Sequence, residues 1–234
     1  AVGSPIARGI VDISHQNEVI ARACSDFPGV FPIGLALIEE RFGKLGIEEA
    51  EKAMGKLGLV GIVGHPPIGE WCIPFVEAVA AREGLVNLHM HNPLMDEIAR
   101  IFPHCTFISH ASTWGAENLA KHDNVFFEVV QYPDGQESEW DFAWFADKVG
   151  HERLIFGADL PYYDYRVLQK TIEEAPVDDD LKDCIAYKNI EALIQRFNPE
   201  WSMPDAPPKE ARIYDPEELW AVNPDNPVRL TVYA

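Results

Sequence analysis

From Val30 to Asp159 the chain alternates between short apolar runs, rich in β-branched and aromatic residues, and longer stretches in which apolar positions recur every three or four residues. The first pattern predicts buried strands and the second amphipathic helices; their regular alternation predicts βα units around a parallel sheet, an α/β fold. The predicted strands are 30–38 (VFPIGLALI), 59–66 (LVGIVGHP), 85–91 (LVNLHMH), 105–111 (CTFISHA), 124–130 (NVFFEVV) and 153–161 (RLIFGADLP). Helical spacing covers 17–29, 46–58, 73–84, 93–103, 114–123, 140–150, 165–175 and 179–197. Gly58, Gly84 and Gly150 stand where left-handed C-caps are expected, and Pro93 stands where a first helical turn begins. From Asn198 the texture changes to a Pro- and Asp-rich stretch that cannot hold a regular element for long. The chain therefore reads as a βα domain over 1–197 and an extended C-terminal arm over 198–234. The arm's last apolar piece, 228–234 (VRLTVYA), suits an edge strand.

Five of the six predicted strands end on a titratable side chain. They close with His65, with His89 or His91, with His110, with Glu128 and with Asp159. In a parallel α/β barrel the carboxyl ends of the strands share one face and open into one cavity, so this pattern aims imidazoles and carboxylates at one pocket. Taken alone, Asp159 fits an N-cap or a turn before Pro161 as well as a site. Five consecutive strand ends of this kind point instead to a common site. Neutral imidazole and carboxylate suit Zn²⁺ or a similar borderline ion, whose open position takes a water of near-neutral pKa. Asp159 is then a metal ligand or a general base beside one.

Composition narrows the partners. With 47% hydrophobic residues the chain can bury a sizeable core, and its formal charge of −19 opposes binding to nucleic acid or to an anionic membrane. No run approaches the ~18 apolar residues of a membrane span, and no signal-peptide pattern stands out, so the expectation is a soluble, cytoplasmic protein acting on a small molecule. Cys24, Cys72, Cys105 and Cys184 are far apart and read as free, mostly buried thiols.

The runs GLVNLHMHN, FPHCTFISHAS, NVFFEVV, GHERLIFGADLPYYD and YKNIEALI resemble the amidohydrolase superfamily, in the amidohydrolase-2 branch that includes aminocarboxymuconate-semialdehyde decarboxylase and related hydrolases and lactonases. The resemblance spans roughly residues 17 to 197. It implies a TIM-type (β/α) barrel in which His89 is the metal-binding histidine of the family's fifth strand, His110 the catalytic histidine of its sixth, and Asp159 the metal-binding and catalytic aspartate of its eighth. His91 points the same way along the strand as His89 and is a rim group or the ligand in its place, His89 being favoured. The strand ending Val63-Gly64-His65 carries no lysine, which implies one divalent ion, expected to be zinc, and not a lysine-bridged pair. His65, His91, Trp114 and Glu128 are then candidates for substrate binding.

The chain departs from that family where the first strand's His-x-His pair should stand. None precedes Val30, and six strands are expected of eight, an incomplete barrel. Truncation or processing upstream is the preferred account, and a short natural variant covered by its own arm, as in a homo-oligomer, is the other. Three functions stay open: a metal-dependent hydrolase of an ester, lactone or amide in a small carboxylated or aromatic substrate, using a metal-activated water; a non-oxidative decarboxylase of the same branch, for which Arg41, Lys44 and Arg166 offer cations; and a non-catalytic relative acting in binding or assembly.

Overall fold

The computed structural model describes residues 2–3, 12–65, 68–89, 93–130, 140–158 and 164–204. The chain divides into two compact units, Ala1–Met203 and Pro204–Ala234, and the fold described below belongs to the first. The predicted edge strand at 228–234 lies outside the described residues.

Strands β1 (Val2–Gly3), β2 (Ile33–Leu37), β3 (Gly61–Gly64), β4 (Leu85–Leu88), β5 (Thr106–His110), β6 (Val125–Val129) and β7 (Leu154–Phe156) form one sheet in chain order, each parallel to the next. Helices α1 (Ile13–Asp26), α2 (Gly43–Lys56), α3 (Ile73–Ala80), α4 (Pro93–Ile101), α5 (Thr113–Leu119) and α6 (Phe142–Val149) alternate with the strands. After β7 come α7 (Tyr165–Glu174), α8 (Asp179–Asp183) and α9 (Asn189–Phe197), the last two joined by a π-helical turn at Cys184–Lys188. Six strands match the sequence pattern. The seventh, β1, pairs only Val2 with Ile33 and Gly3 with Gly34, and two residues are too few for any periodicity to reveal. Among the described residues no pairing joins β7 back to β1, so the sheet is an incomplete barrel. No helix among them is long and apolar enough to cross a membrane.

Strand periodicity sorts the core into two layers. Ala36, Ile62, Val86, Leu88, Phe107, Val125, Phe127, Val129 and Leu154 face the helices and share a cluster with Phe75, Val79, Met95, Ile98, Leu119 and Phe142. The alternate residues Ile33, Leu35, Leu37, Val63, Leu85, Ile108, Phe126 and Ile155 face inward, where Ile13 of α1 and Leu193 and Ile194 of α9 pack on them. Each fully buried large side chain, such as Phe107 or Phe127, contributes about 2–3 kcal/mol relative to exposure. Cys72, Cys105 and Cys184 are buried free thiols and Cys24 is half-buried; burial pushes the Cys72 and Cys105 thiols up to about 11.

Two buried asparagines close the edges that an incomplete barrel exposes. Ile38 N–H donates to Val63 O on the β3 side, so by the alternation of a parallel ladder Leu37 N–H points to the other side, beyond the end of β1. There it donates to Asn17 Oδ1 of α1 at 2.8 Å. On the opposite edge Asn189 Nδ2 of α9 donates to His151 O at 2.6 Å and to Leu154 O at 2.7 Å. Each contact satisfies backbone groups that would otherwise be buried unpaired.

The helix ends follow expectation at Gly58 (φ +75°) and Gly150 (φ +86°) and depart from it at Gly84. Helix α3 stops early, and the left-handed residue is Glu83 (φ 51°). Gly84 is required for space instead, because a Cβ there would sit 2.7 Å from both Val60 O and Val79 Cγ1.

Candidate functional site

Four of the strand-end side chains meet in one layer, and the strand register explains why. The β3–β4 ladder runs from Gly61 opposite Leu85 to Gly64 opposite Leu88, and His89 N–H donates to Gly64 O, so the next pair upward is His65 and His89. Asn87 lies opposite Ile108, which sets His89 beside His110, and His110 lies opposite Glu128. Each is two residues beyond an inward-facing position, so the whole row projects from the inner face at the carboxyl end of the sheet. The distances agree. The His65 and His89 rings are 4.6 Å apart and edge to face, the His89 and His110 rings 4.4 Å apart and tilted, and His110 Nε2 lies 3.5 Å from Glu128 Oε2. Apart from Asn87, the strand positions beneath are buried, whereas all four of these residues are half-buried, with 17% of the His110 side chain and 18% of Glu128 exposed. The row therefore lines a floor open to solvent.

Glu128 owes its place to a glycine on β7's extension. A Cβ on Gly157 would stand 2.3 Å from Glu128 Cγ and 2.6 Å from its Oε1, so the carboxylate side chain occupies the volume that any other residue at 157 would fill. Glu39 is a further member that the strand-end pattern did not single out. Leu37 lies opposite Val63, and Ile38 continues the ladder, so extended Glu39 falls in the row beside His65. It is held by Arg41 through Nε–Oε1 at 2.9 Å and Nη2–Oε2 at 3.0 Å. The signal is an acid directly after the predicted strand 30–38, one position beyond the run LALI.

Among the other expected site residues Trp114, on α5, packs against the outer-face cluster between sheet and helices. His91 and Asp159 lie outside the described residues. The three candidate cations are surface groups engaged with acids: Arg41 (side chain 53% exposed) with Glu39, Lys44 (88%) with Glu48 at 3.4 Å, and Arg166 (74%) with Asp164. The Arg166 guanidinium holds the Asp164 carboxyl down at about 2.

Three imidazoles and a carboxylate in contact are the donor types that borderline divalent ions select, and they are also a set able to carry a proton. Among the described residues no three His, Cys, Asp or Glu side chains converge as a complete metal cage. The donor chemistry fits a metal; a full ligand set draws on at least one group beyond these four.

A family model described as amidohydrolase matches residues 7–196. No curated protein matches the chain. Among solved structures, the chain is similar to 2,6-dihydroxybenzoate decarboxylase from Rhizobium, with a TM-score of 0.62 and 14% identity over 79% of this chain and 77% of that one. It is also similar to a dihydroxybenzoic acid decarboxylase from Polaromonas with bound manganese and 2-nitroresorcinol (TM-score 0.61, 15% identity, 78% and 74% covered). A third is 5-carboxyvanillate decarboxylase from Sphingomonas paucimobilis (TM-score 0.59, 15% identity, 82% and 77% covered). At these identities the likeness is one of fold.

Proposed function

Because the chain belongs to the amidohydrolase family, we propose that it acts as a metal-dependent, non-oxidative decarboxylase of a small aromatic carboxylate. The observation that carries this reading is the continuous row His65–His89–His110–Glu128, which sets a proton-carrying pair beside a metal-type donor. The preference over hydrolysis rests on the aromatic-acid decarboxylases that share the fold.

His89 and Asp159 are the residues that would hold one divalent ion, whose chemistry is to neutralise and orient the substrate's carboxylate. Manganese joins zinc as a candidate because the Polaromonas relative binds it. The remaining work is proton transfer. Decarboxylation of an arene replaces a carbon–carboxylate bond with a carbon–hydrogen bond: one proton reaches the ring carbon, the bonding pair of the carboxylate returns to the ring, and neutral CO₂ leaves. His110 delivers that proton. Glu128, 3.5 Å from its Nε2, offsets the charge that the ring carries before transfer. His65 and His91 then bound the substrate's edge, while Trp114 serves packing.

The test combines metal content and product. Elemental mass spectrometry on the desalted full chain is expected to find about one manganese or zinc per chain, and Asp159→Asn to lower it severalfold. CO₂ release from a panel of hydroxylated benzoates is expected for the metal-loaded chain and lost with His110→Asn. Hydrolysis of aryl esters or lactones without CO₂ release would favour the hydrolase. No metal and no turnover would favour the binding or assembly role.

A further inference from the structure

The row at the carboxyl end of the sheet gives His89 an imidazole on either side, and the two neighbours face different company. His110 has the Glu128 carboxylate 3.5 Å from its Nε2, which suits it to hold and pass a proton. Beyond His65 the next side chain in register is Glu39, and Arg41 binds both oxygens of that carboxylate, at 2.9 and 3.0 Å. An ion held by His89 therefore meets the proton-carrying pair on one side and His65 on the other.

The spacing suits shared ligation. Two imidazoles on one ion, with metal–nitrogen bonds of about 2.1 Å, have ring centres about 4.5 Å apart at a bond angle of about 90° and about 5.2 Å apart at the tetrahedral angle. The His65 and His89 rings are 4.6 Å apart and inclined at 64°. Their backbones are fixed to one another, because His89 N–H donates to Gly64 O at 3.2 Å and the ladder continues below with Gly64 opposite Leu88. His110 lies 4.4 Å from His89 on the other side. Among the described residues no three such side chains converge on one point, so the ion takes one neighbour of His89, and ligation of His110 would remove the proton carrier.

We infer that His65 is a further ligand of the ion, beside His89 and Asp159, and that an angle near 90° selects a six-coordinate ion, manganese before zinc. The inference rests on the metal-dependent reading above and deepens it: as a ligand, His65 also borders the carboxylate edge of the substrate.

The test uses the desalted full chain and reads metal binding apart from turnover. Affinities for Mn²⁺ and Co²⁺ are measured by competition with a chelator, together with the visible spectrum of the Co²⁺-loaded chain, for the wild type, His65→Gln and His65→Glu. The two variants share a shape, and only glutamate keeps an anionic donor for the ion. His65→Gln is expected to lose at least about tenfold in affinity for both ions, and His65→Glu to stay within about threefold of the wild type, whose cobalt spectrum should be the weak one of six-coordination. Equal affinities in the wild type and His65→Gln overturn the inference. So does an equal loss in both variants, which would mark a packing role, and an intense four-coordinate cobalt spectrum overturns the choice of ion. A wild type that takes up neither ion overturns the inference and the metal-dependent reading together. Metal binding that depends on His65 without CO₂ release would leave the inference standing and sink the decarboxylase reading. CO₂ release with a metal affinity indifferent to residue 65 would do the reverse.

Discussion

Replacing Gly157 with alanine adds one methyl group at a position where the backbone accepts any residue, since Gly157 is not among the glycines with positive φ. Its Cβ would stand 2.3 Å from Glu128 Cγ, and carbon atoms in ordinary contact need at least about 3.4 Å. Glu128 must therefore retreat by about 1.1 Å, which lengthens its 3.5 Å approach to His110 to about 4.6 Å if the movement is along that line. With His110 protonated and an effective dielectric of about 20, the attraction falls from about 4.7 to about 3.6 kcal/mol, a loss of about 1 kcal/mol or roughly sixfold in any rate that depends on that charge. The fold should tolerate the change, because the clash is with a side chain at the open floor of the site. Gly61→Ala is the contrasting control: its Cβ would meet Leu85 O at 1.7 Å and Leu85 C at 2.6 Å, main-chain atoms of the adjoining strand that cannot yield without breaking the β3–β4 ladder. Gly157→Ala should thus lose roughly sixfold or more in CO₂ release with a near-normal urea midpoint, whereas Gly61→Ala should fail to fold. Wild-type turnover in a folded Gly157→Ala chain would refute the role given to Glu128.

Two further outcomes concern stability. Asn189→Ala removes both hydrogen bonds that close the β7 edge and leaves His151 O and Leu154 O without them, at a cost of about 2–3 kcal/mol, read as a lowered urea midpoint; an unchanged midpoint would show that water replaces the side chain. Asp96 accepts from His122 Nε2 at 2.6 Å and is paired with Lys121 Nζ at 2.9 Å, and these hold its carboxyl below the usual range, His122 contributing most. A carboxyl lowered in the folded state adds stability in full above its unfolded pKa of about 3.9, and that stability is lost as pH falls through the folded value. Asp96→Asn is expected to flatten the acid limb of the urea midpoint between about pH 5 and 3; a limb as steep as the wild type's would assign the acid sensitivity elsewhere.

What the amino-acid sequence determined about this protein is what a strand carries along itself. Alternation of side chains fixes which residues share a face, so the inward direction of His65, His89, His110 and Glu128, and their place at strand ends, could be read from LVGIVGH, LVNLH, CTFISH and NVFFE before any pairing was known. The regular order of strands and helices likewise announced a parallel sheet, with these side chains together at one end of it. What lies between strands needed the tertiary structure. Only the hydrogen-bond register sets His89 beside His110 and His110 beside Glu128, and the same register brings in Glu39 and drops Asn87 one rung lower. A neutral amide gives no titratable signal, and Asn17 and Asn189 look like ordinary polar helix residues until the strand edges they close are in view. Gly157 is one position within the predicted strand 153–161, and only the packing of the neighbouring strand shows it to be the space that Glu128 occupies. The stagger of one strand against the next is set by contacts between residues tens of positions apart, which no local pattern encodes.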